Sequence, residues 1–447
     1  MDFIEEFDTA IRLINNDDLF KAIMDGSDDD IFEFSETLAL ISAHHFNTKQ
    51  SVNDNFSFTA NSSLSGGKHP CSAAECRVEK LNQLITFSSL YADQVYIQNP
   101  FERLALQDKE TVSEYERMEL IHGIASYNQL KPLIKKGIIK YASNLVPLCL
   151  HHNEIIAKPL AESIEKKEGE LYELLHEYLI DKCSINFDYM KNGLAFLEIS
   201  GPEELIEHGV IYFHYFDTLP KYLNFLLKKT TPYSLTKKEI IDNELLSLVI
   251  NPILKDLSNQ EWHSAFHGTS YLFDKAVQAK IATKMNKSKY AANSSAFESG
   301  MQHYLPTVHS QDMKIVLNLR ETEAEAFSVF RDRLNKFMRD SKSLSEQEIS
   351  YIFRDQILPE INLIDKKIKD WKSKSRESLK EKVIFGTGAV AIGLYSGTLP
   401  ANIGEIIATI GGGTALATAL MDYNKTFKEK EEARSSDFYF LWQAKNI

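Results

Sequence analysis

The chain has 447 residues, 43% of them hydrophobic and 11% aromatic, and its 50 basic and 63 acidic side chains leave a formal charge of −13. Such a length exceeds one ordinary core and implies two or three domains, and that apolar content excludes disorder over most of the chain. The acidic balance argues against general affinity for nucleic acid.

The opening residues, MDFIEEFDTAIRLI, carry acids where a secretory signal carries basic residues, so no signal peptide is expected. Phe3, Ile4, Phe7, Ile11 and Ile14 recur at helical spacing, and two helices are expected over 1–46, interrupted at Gly26 and the Asp28–Asp30 run. Residues 47–70 are rich in Asn, Ser and Gly and read as an exposed loop. Helical patterning resumes at Cys76 and stops at Pro100-Phe101, and a further helix is expected over about 111–136. The following GIIKYASNLVPLCL reads as a short strand or a buried turn.

Residues 161–182 have the Glu/Lys spacing of an amphipathic helix. GLAFLEIS and GVIYFHYF, between 185 and 216, are rich in β-branched and aromatic residues. They predict two strands around the short helix PEELIEH, the one place where a sheet is expected. Helical patterns return over 220–284 and again over 310–340, after a polar loop at 285–296. A long helix should open at Ser343–Ser345, where Ser345 and Glu348 have capping-box spacing, and Pro359 should kink it.

The least ordinary segment is 383–421. Seventeen residues between Lys382 and Pro400 and sixteen between Glu405 and Asp422 carry no charge, and neither run is amphipathic. Small residues fall four apart, at Ala389, Gly393 and Gly397 and at Gly411, Ala415 and Ala419, with Gly386 just before them. As a helical hairpin this spacing would let two backbones approach closely. A Lys-rich flank over 366–382 and basic residues after 424 would suit either a buried hairpin or one that meets a membrane with both ends on one side. In composition the segment resembles the hydrophobic hairpin of pore-forming colicins.

Cys71, Cys76, Cys149 and Cys183 are too few and too scattered for a disulfide framework and fit reduced thiols in a cytoplasm. His69, Cys71 and Cys76 lie close in sequence, and Cys149, His151 and His152 could complete a zinc site, although neither group has a standard pair spacing. Buried thiols and surface histidines explain them without metal, and no metal or cofactor is assigned. Arg117 and His122 match the Arg-x4-His pattern and so resemble helical ribonucleases of the HEPN type. There the imidazole would serve as general base and the guanidinium would stabilise phosphate charge. His267-Gly268-Thr269-Ser270 resembles the nicotinamide-binding motif of ADP-ribosyltransferases, but a helix N-cap at Thr269 or Ser270 explains it better. The charges of 319–334 read as a solvated helix face laced with ion pairs.

SSLYADQVYIQNPF, LRETEAEAFSVFRDRL and the aromatic ending FYFLW give the chain a general resemblance to uncharacterised bacterial proteins of the phage-defence type. The fold expected is mainly α, with a small α+β insertion around 185–216 and a C-terminal Gly/Ala-rich helical hairpin. It divides into a helical domain over 1–184, a mixed domain over 185–300, and long helices with the hairpin over 301–447. The function expected is a non-enzymatic effector or assembly component of bacterial anti-phage defence, with a HEPN-like ribonuclease or another nuclease as the alternative. Its partners would be a second copy or another protein, with membrane contact through 383–421 and no nucleic acid. It would work in the cytoplasm or at the periphery of the inner membrane.

Overall fold

The computed structural model describes residues 2–14, 18–46, 57–67, 73–106, 111–144, 158–189, 195–203, 205–213, 232–267, 269–274, 278, 306–310, 313–340, 351, 355–356, 358–374, 383–387 and 391–393. Helix predominates. In chain order come α1 (Phe3–Ile14), α2 (Leu19–Asp25), α3 (Asp28–Phe46), β1 (Ser57–Ala60), α4 (Ala74–Leu90), β2 (Gln94–Gln98), α5 (Glu102–Ala105), α6 (Glu114–Lys135) and β3 (Ile139–Ala142). The middle of the chain forms α7 (Lys158–Ile180), β4 (Ser184–Tyr189), β5 (Ala195–Ser200), β6 (Val210–Phe213), β7 (Tyr233–Ser234), α8 (Lys237–Asp242), α9 (Ser247–His267) and β8 (Ser270–Phe273). The last elements are β9 (Pro306–Ser310), α10 (Met313–Thr322), α11 (Ala324–Asp340), α12 (Leu358–Lys374), β10 (Val383–Thr387) and β11 (Ala391–Gly393).

The two expected strands are present, and they pair antiparallel. β5 pairs with β6 and also with β4, and β7 joins β4 to complete a four-stranded sheet in the order β6-β5-β4-β7. Alternate residues of β5, Ala195, Leu197 and Ile199, are buried, as the pleat requires when one face meets a core. Leu171, Leu175 and Leu179, spaced four apart on α7, pack into that core with Ile185, Phe187, Val249, Ile250 and Leu254.

Sheet structure is not confined to that region. β8, β1, β2 and β3 form a parallel sheet in the order β8-β1-β2-β3, and β11 adds antiparallel to the outer edge of β8. The chain runs β1-α4-β2 and then β2-α6-β3 in one direction, and the sheet is extended on the other side of β1 by a strand more than 200 residues later. The expectation of an exposed loop over 47–70 is therefore corrected for 57–67. Phe58 and Leu64 are buried, and Phe58 packs edge-to-face on Phe87. A four-residue strand buried on both faces has no polar alternation to betray it.

The two faces of this parallel sheet differ. Phe58, Val95, Ile97, Ile139, Tyr141 and Leu272 enter a large apolar core with residues of α1, α3, α4, α6, α10, α11 and α12. The opposite face, under the C-terminal half of α9, carries the register row Tyr271, Thr59, Tyr96 and Lys140. Thr59 Oγ1 bonds Thr269 Oγ1 at 2.7 Å, Tyr271 donates to Glu261, and His267 stacks on Tyr96 at 3.8 Å. Gln260 Nε2 donates to the carbonyls of Thr59 and Leu272, at 3.1 and 3.2 Å, which locks α9 onto the adjacent strands β1 and β8. Thr269 and Ser270 thus lead into and begin a strand, and the expected helix N-cap there is corrected.

The C-terminal expectation also changes. Residues 383–387 and 391–393 are strands, not helix: Val383 to Thr387 pair antiparallel with Ser310 to Pro306, and Ala391 to Gly393 with Phe273 to Tyr271. Val, Ile, Phe and Thr favour a pleated surface, and glycine costs a helix about 1 kcal/mol relative to alanine, so the offered partner strands decide the outcome. Gly386 lies opposite Thr307 and Gly393 opposite Tyr271. Ala389, Gly397, Gly411, Ala415 and Ala419, like the proposed capping box at Ser345, lie outside the described residues. Pro359 sits in the first turn of α12, where a missing N–H costs nothing. The helix expected over 310–340 is divided at Glu323 and preceded by β9. Among the described residues no helix is long and apolar enough to cross a membrane.

Phe58→Ala tests the buried placement of β1. The substitution should cost about 3–5 kcal/mol in urea unfolding, as for a phenylalanine in a packed core. A loss below about 0.5 kcal/mol, typical of an exposed position, would return 57–67 to the surface.

Candidate functional site

Loops leave the parallel strands at their carboxyl ends, and in α/β sheets that edge is where ligands bind. After β1 the chain turns through Asn61-Ser62-Ser63-Leu64-Ser65-Gly66-Gly67. Asn61 organises the turn: its amide donates to Leu272 O at 2.9 Å, its Oδ1 accepts from Leu64 N, and its Nδ2 donates to Asp274 Oδ1 at 2.7 Å. Asp274, at the end of β8, also accepts from Ser63 Oγ and pairs with Lys80 Nζ at 3.1 Å. The amides of Ser65, Gly66 and Gly67 bond back to carbonyls of Asn61, Ser63 and Ser62. Gly66 holds φ +80°, and a Cβ on Gly67 would fall 2.6 Å from Ser62 O, so the turn requires both glycines. With these amides satisfied internally, the Ser/Gly turn is not a backbone phosphate cradle of the P-loop kind.

Ser62 N–H points outward and donates to Asp256 Oδ1 of α9 at 2.8 Å. After β2, Asn99 Oδ1 accepts from Phe101 N, and Glu102 is buried where Ser143 Oγ and Asn144 N of the β3 loop both donate to it. Gly123 of α6 allows this loop to approach: a Cβ there would stand 3.2 Å from Phe101 and Pro100. α6 begins with a capping box, Ser113 with Glu116. One turn on, Glu119 receives Arg77 in a two-pronged ion pair at 2.5 and 3.3 Å.

These elements enclose an open cleft of about 660 Å³ between the strand-end loops, the first half of α6 and the first half of α9. Its wall carries hydroxyls and carboxamides, among them Ser62, Ser126, Gln98, Asn144, Asn251 and Asn259, between apolar stretches such as Leu104, Leu106 and Pro252. Its charges are Arg77, Arg103 and Lys255 against Glu102, Glu116, Glu119 and Asp256. Desolvation pushes the Asp256 carboxyl up to about 7, opposed by the Ser62 amide and reinforced by the charge of Asp274. Asp256 can therefore hold or release a proton near neutrality.

The residues singled out from sequence fall elsewhere. Arg117 caps helix ends: Nη1 donates to Ile23 O and Gly26 O at 2.6 and 2.9 Å, and Nη2 pairs with Asp28 at 2.5 Å. His122 lies in the field of Arg77 and Glu119, its pKa lowered mainly by burial, then by Arg77. Arg117 is committed to the α2–α3 junction, and no described contact joins it to His122. Cys76 Sγ is 3.9 Å from His208 Nε2, Cys183 is a half-buried thiol pushed up to about 11 by desolvation, and Cys71, Cys149, His69, His151 and His152 lie outside the described residues. Among the described residues no group of three or more His, Cys, Asp or Glu could hold a metal ion. The charges of 319–334 form ion pairs, Lys136–Glu321, Lys367–Glu323 and Arg333–Glu360, and Arg320 donates to Ser88 O and Ala92 O at the end of α4.

The signal that could have marked the cleft was the NSSLSGG turn after a short β-branched and aromatic run. It needed recognition of β1, which only its distant partners reveal.

The pH dependence has two opposed parts. Asp256 has a folded value above its ordinary 3.8, so its contribution to stability is full below that value and lost as pH rises through about 7. His263 and His267, lowered to about 4 and about 3 chiefly by burial, contribute fully above about 6.5 and lose it as pH falls. Asp256→Asn should therefore raise the melting temperature relative to the parent more at pH 8 than at pH 5. Equal shifts at both values, by calorimetry, would show that the carboxyl is not desolvated. No protein-family model, curated protein or solved structure matches the chain.

Proposed function

We propose that the chain binds a small hydroxyl-rich molecule, of sugar or nucleoside size, in the cleft at the carboxyl edge of its parallel sheet, with Asp256 as the group able to exchange a proton with it. The observation that carries this reading is the convergence of three strand-end loops and α9 on one cleft, each contributing a hydroxyl or carboxamide side chain, as Ser62, Asn99, Asn144 and Asn259 do. Its volume lies within the roughly 300–1,000 Å³ usual for small-molecule sites, and neutral donors and acceptors on rigid elements suit a ligand rich in hydroxyls. A carboxyl titrating near neutrality beside them supplies a general acid or base.

The effector reading, with self-association or membrane contact through 383–421, draws its support from the two uncharged runs and their basic flank. Residues 394–421, which it needs most, lie outside the described residues. The ribonuclease reading draws on the Arg117/His122 spacing, and the structural use of Arg117 weakens it.

A thermal-shift screen of sugars, nucleosides and their derivatives against the full chain tests the proposal. A ligand at a hundredfold excess over its Kd should stabilise by about 2.7 kcal/mol. Asn259→Trp, on the α9 wall, should remove that gain. Equal stabilisation of parent and variant would place binding elsewhere.

A further inference from the structure

The charges around the cleft are unequally available. Glu119 is held by Arg77, Glu116 by the Ser113 capping box, Glu102 by Ser143 and Asn144, and Asp256 by the amide of Ser62. All four carboxylates thus have donors from the protein itself. Arg103 on α5 and Lys255 on α9 both line the cleft and are exposed, and neither forms an ion pair or hydrogen bond with another described residue. Arg103, Arg77 and Glu119 all act on the nearby Tyr115 hydroxyl, the two guanidiniums lowering its pKa and the carboxylate raising it.

Resting on the binding reading above, we infer that the ligand is anionic: a phosphorylated polyol, either a sugar phosphate or a nucleotide, whose phosphoryl group is met by Arg103 and Lys255 while its hydroxyls meet the neutral wall. Among the described residues these two cations have no partner while each carboxylate of the cleft is already engaged, so they are the charges open to a ligand, and a guanidinium offers a phosphoryl group paired donors. The satisfied amides of the Ser/Gly turn leave the charge to these side chains rather than to backbone. The hydroxyl and carboxamide groups of the wall and the size of the cleft call for more than a bare anion.

The test is calorimetric titration of the full chain with matched pairs: ribose 5-phosphate against ribose, and AMP against adenosine. The phosphorylated member of at least one pair should bind at least tenfold more tightly than its partner. Arg103→Gln and Lys255→Gln should each weaken it about tenfold, since a charge-assisted hydrogen bond is lost, and added salt should weaken it too. Both residues are exposed, so folding should be unaffected. AMP binding without ribose 5-phosphate binding would identify a nucleotide, and the reverse or equal binding a sugar phosphate. If ribose or adenosine binds as tightly as its phosphorylated partner and neither charge variant matters, the anionic inference is overturned while the cleft reading stands. Binding that survives Asn259→Trp would overturn both, and failure of all four probes to bind would overturn the inference.

Discussion

β1 has a hydrogen-bonded parallel neighbour along each edge, β2 on one side and β8 on the other, and the rest of the structure depends on that double pairing. A strand paired on both sides and covered on both faces satisfies its backbone groups only through segments brought to it. Here β8 comes from more than 200 residues away, so the chain between them must close before the sheet exists. That closure places Asp274 beside Asn61 and carries α9 over the sheet, where Gln260 bonds the carbonyls of both strands. The cleft and its Asp256 follow from the same event.

The covering of the second sheet face is unusual in its polarity. Parallel sheets ordinarily bury apolar residues on both sides, yet Thr59, Tyr96, Lys140 and Tyr271 stand in register under α9. Part of this polarity is well satisfied, through Thr59–Thr269 and Tyr271–Glu261. His263 has no described partner for either ring nitrogen, and burial holds it neutral. Such a ring is tolerated more easily uncharged, and acid should loosen this layer first. Asp256, on the cleft side of the same helix, titrates in the opposite sense.

Electrostatic economy distinguishes structural from available charge. Arg117, Arg320 and Arg77 are each spent on helix-end carbonyls or a carboxylate. Such guanidiniums join elements at junctions where carbonyls would otherwise be buried without donors. Arg103 and Lys255 stand apart from this pattern, at the rim of the cleft.

The sequence by itself determined the elements whose signal is local. α1 and α7 declare themselves through apolar residues at helical spacing, and β5 through the alternation of Ala195, Leu197 and Ile199. The charged face of 319–334 was equally legible, since ion pairs need only exposure. The parallel sheet was not: β1 and β2 are four or five residues long and buried on both faces, leaving no period to read, and only β3 fell in a run read as a short strand or a buried turn. The strands at 383–387 and 391–393 were decided by β9 and β8, which offered unpaired edges to a glycine-bearing run with weak helical preference. The cleft was a tertiary outcome as well. Local sequence shows Arg103 and Lys255, but only the folded chain shows that the carboxylates around them are already engaged, because charge pairing is a property of distance in space.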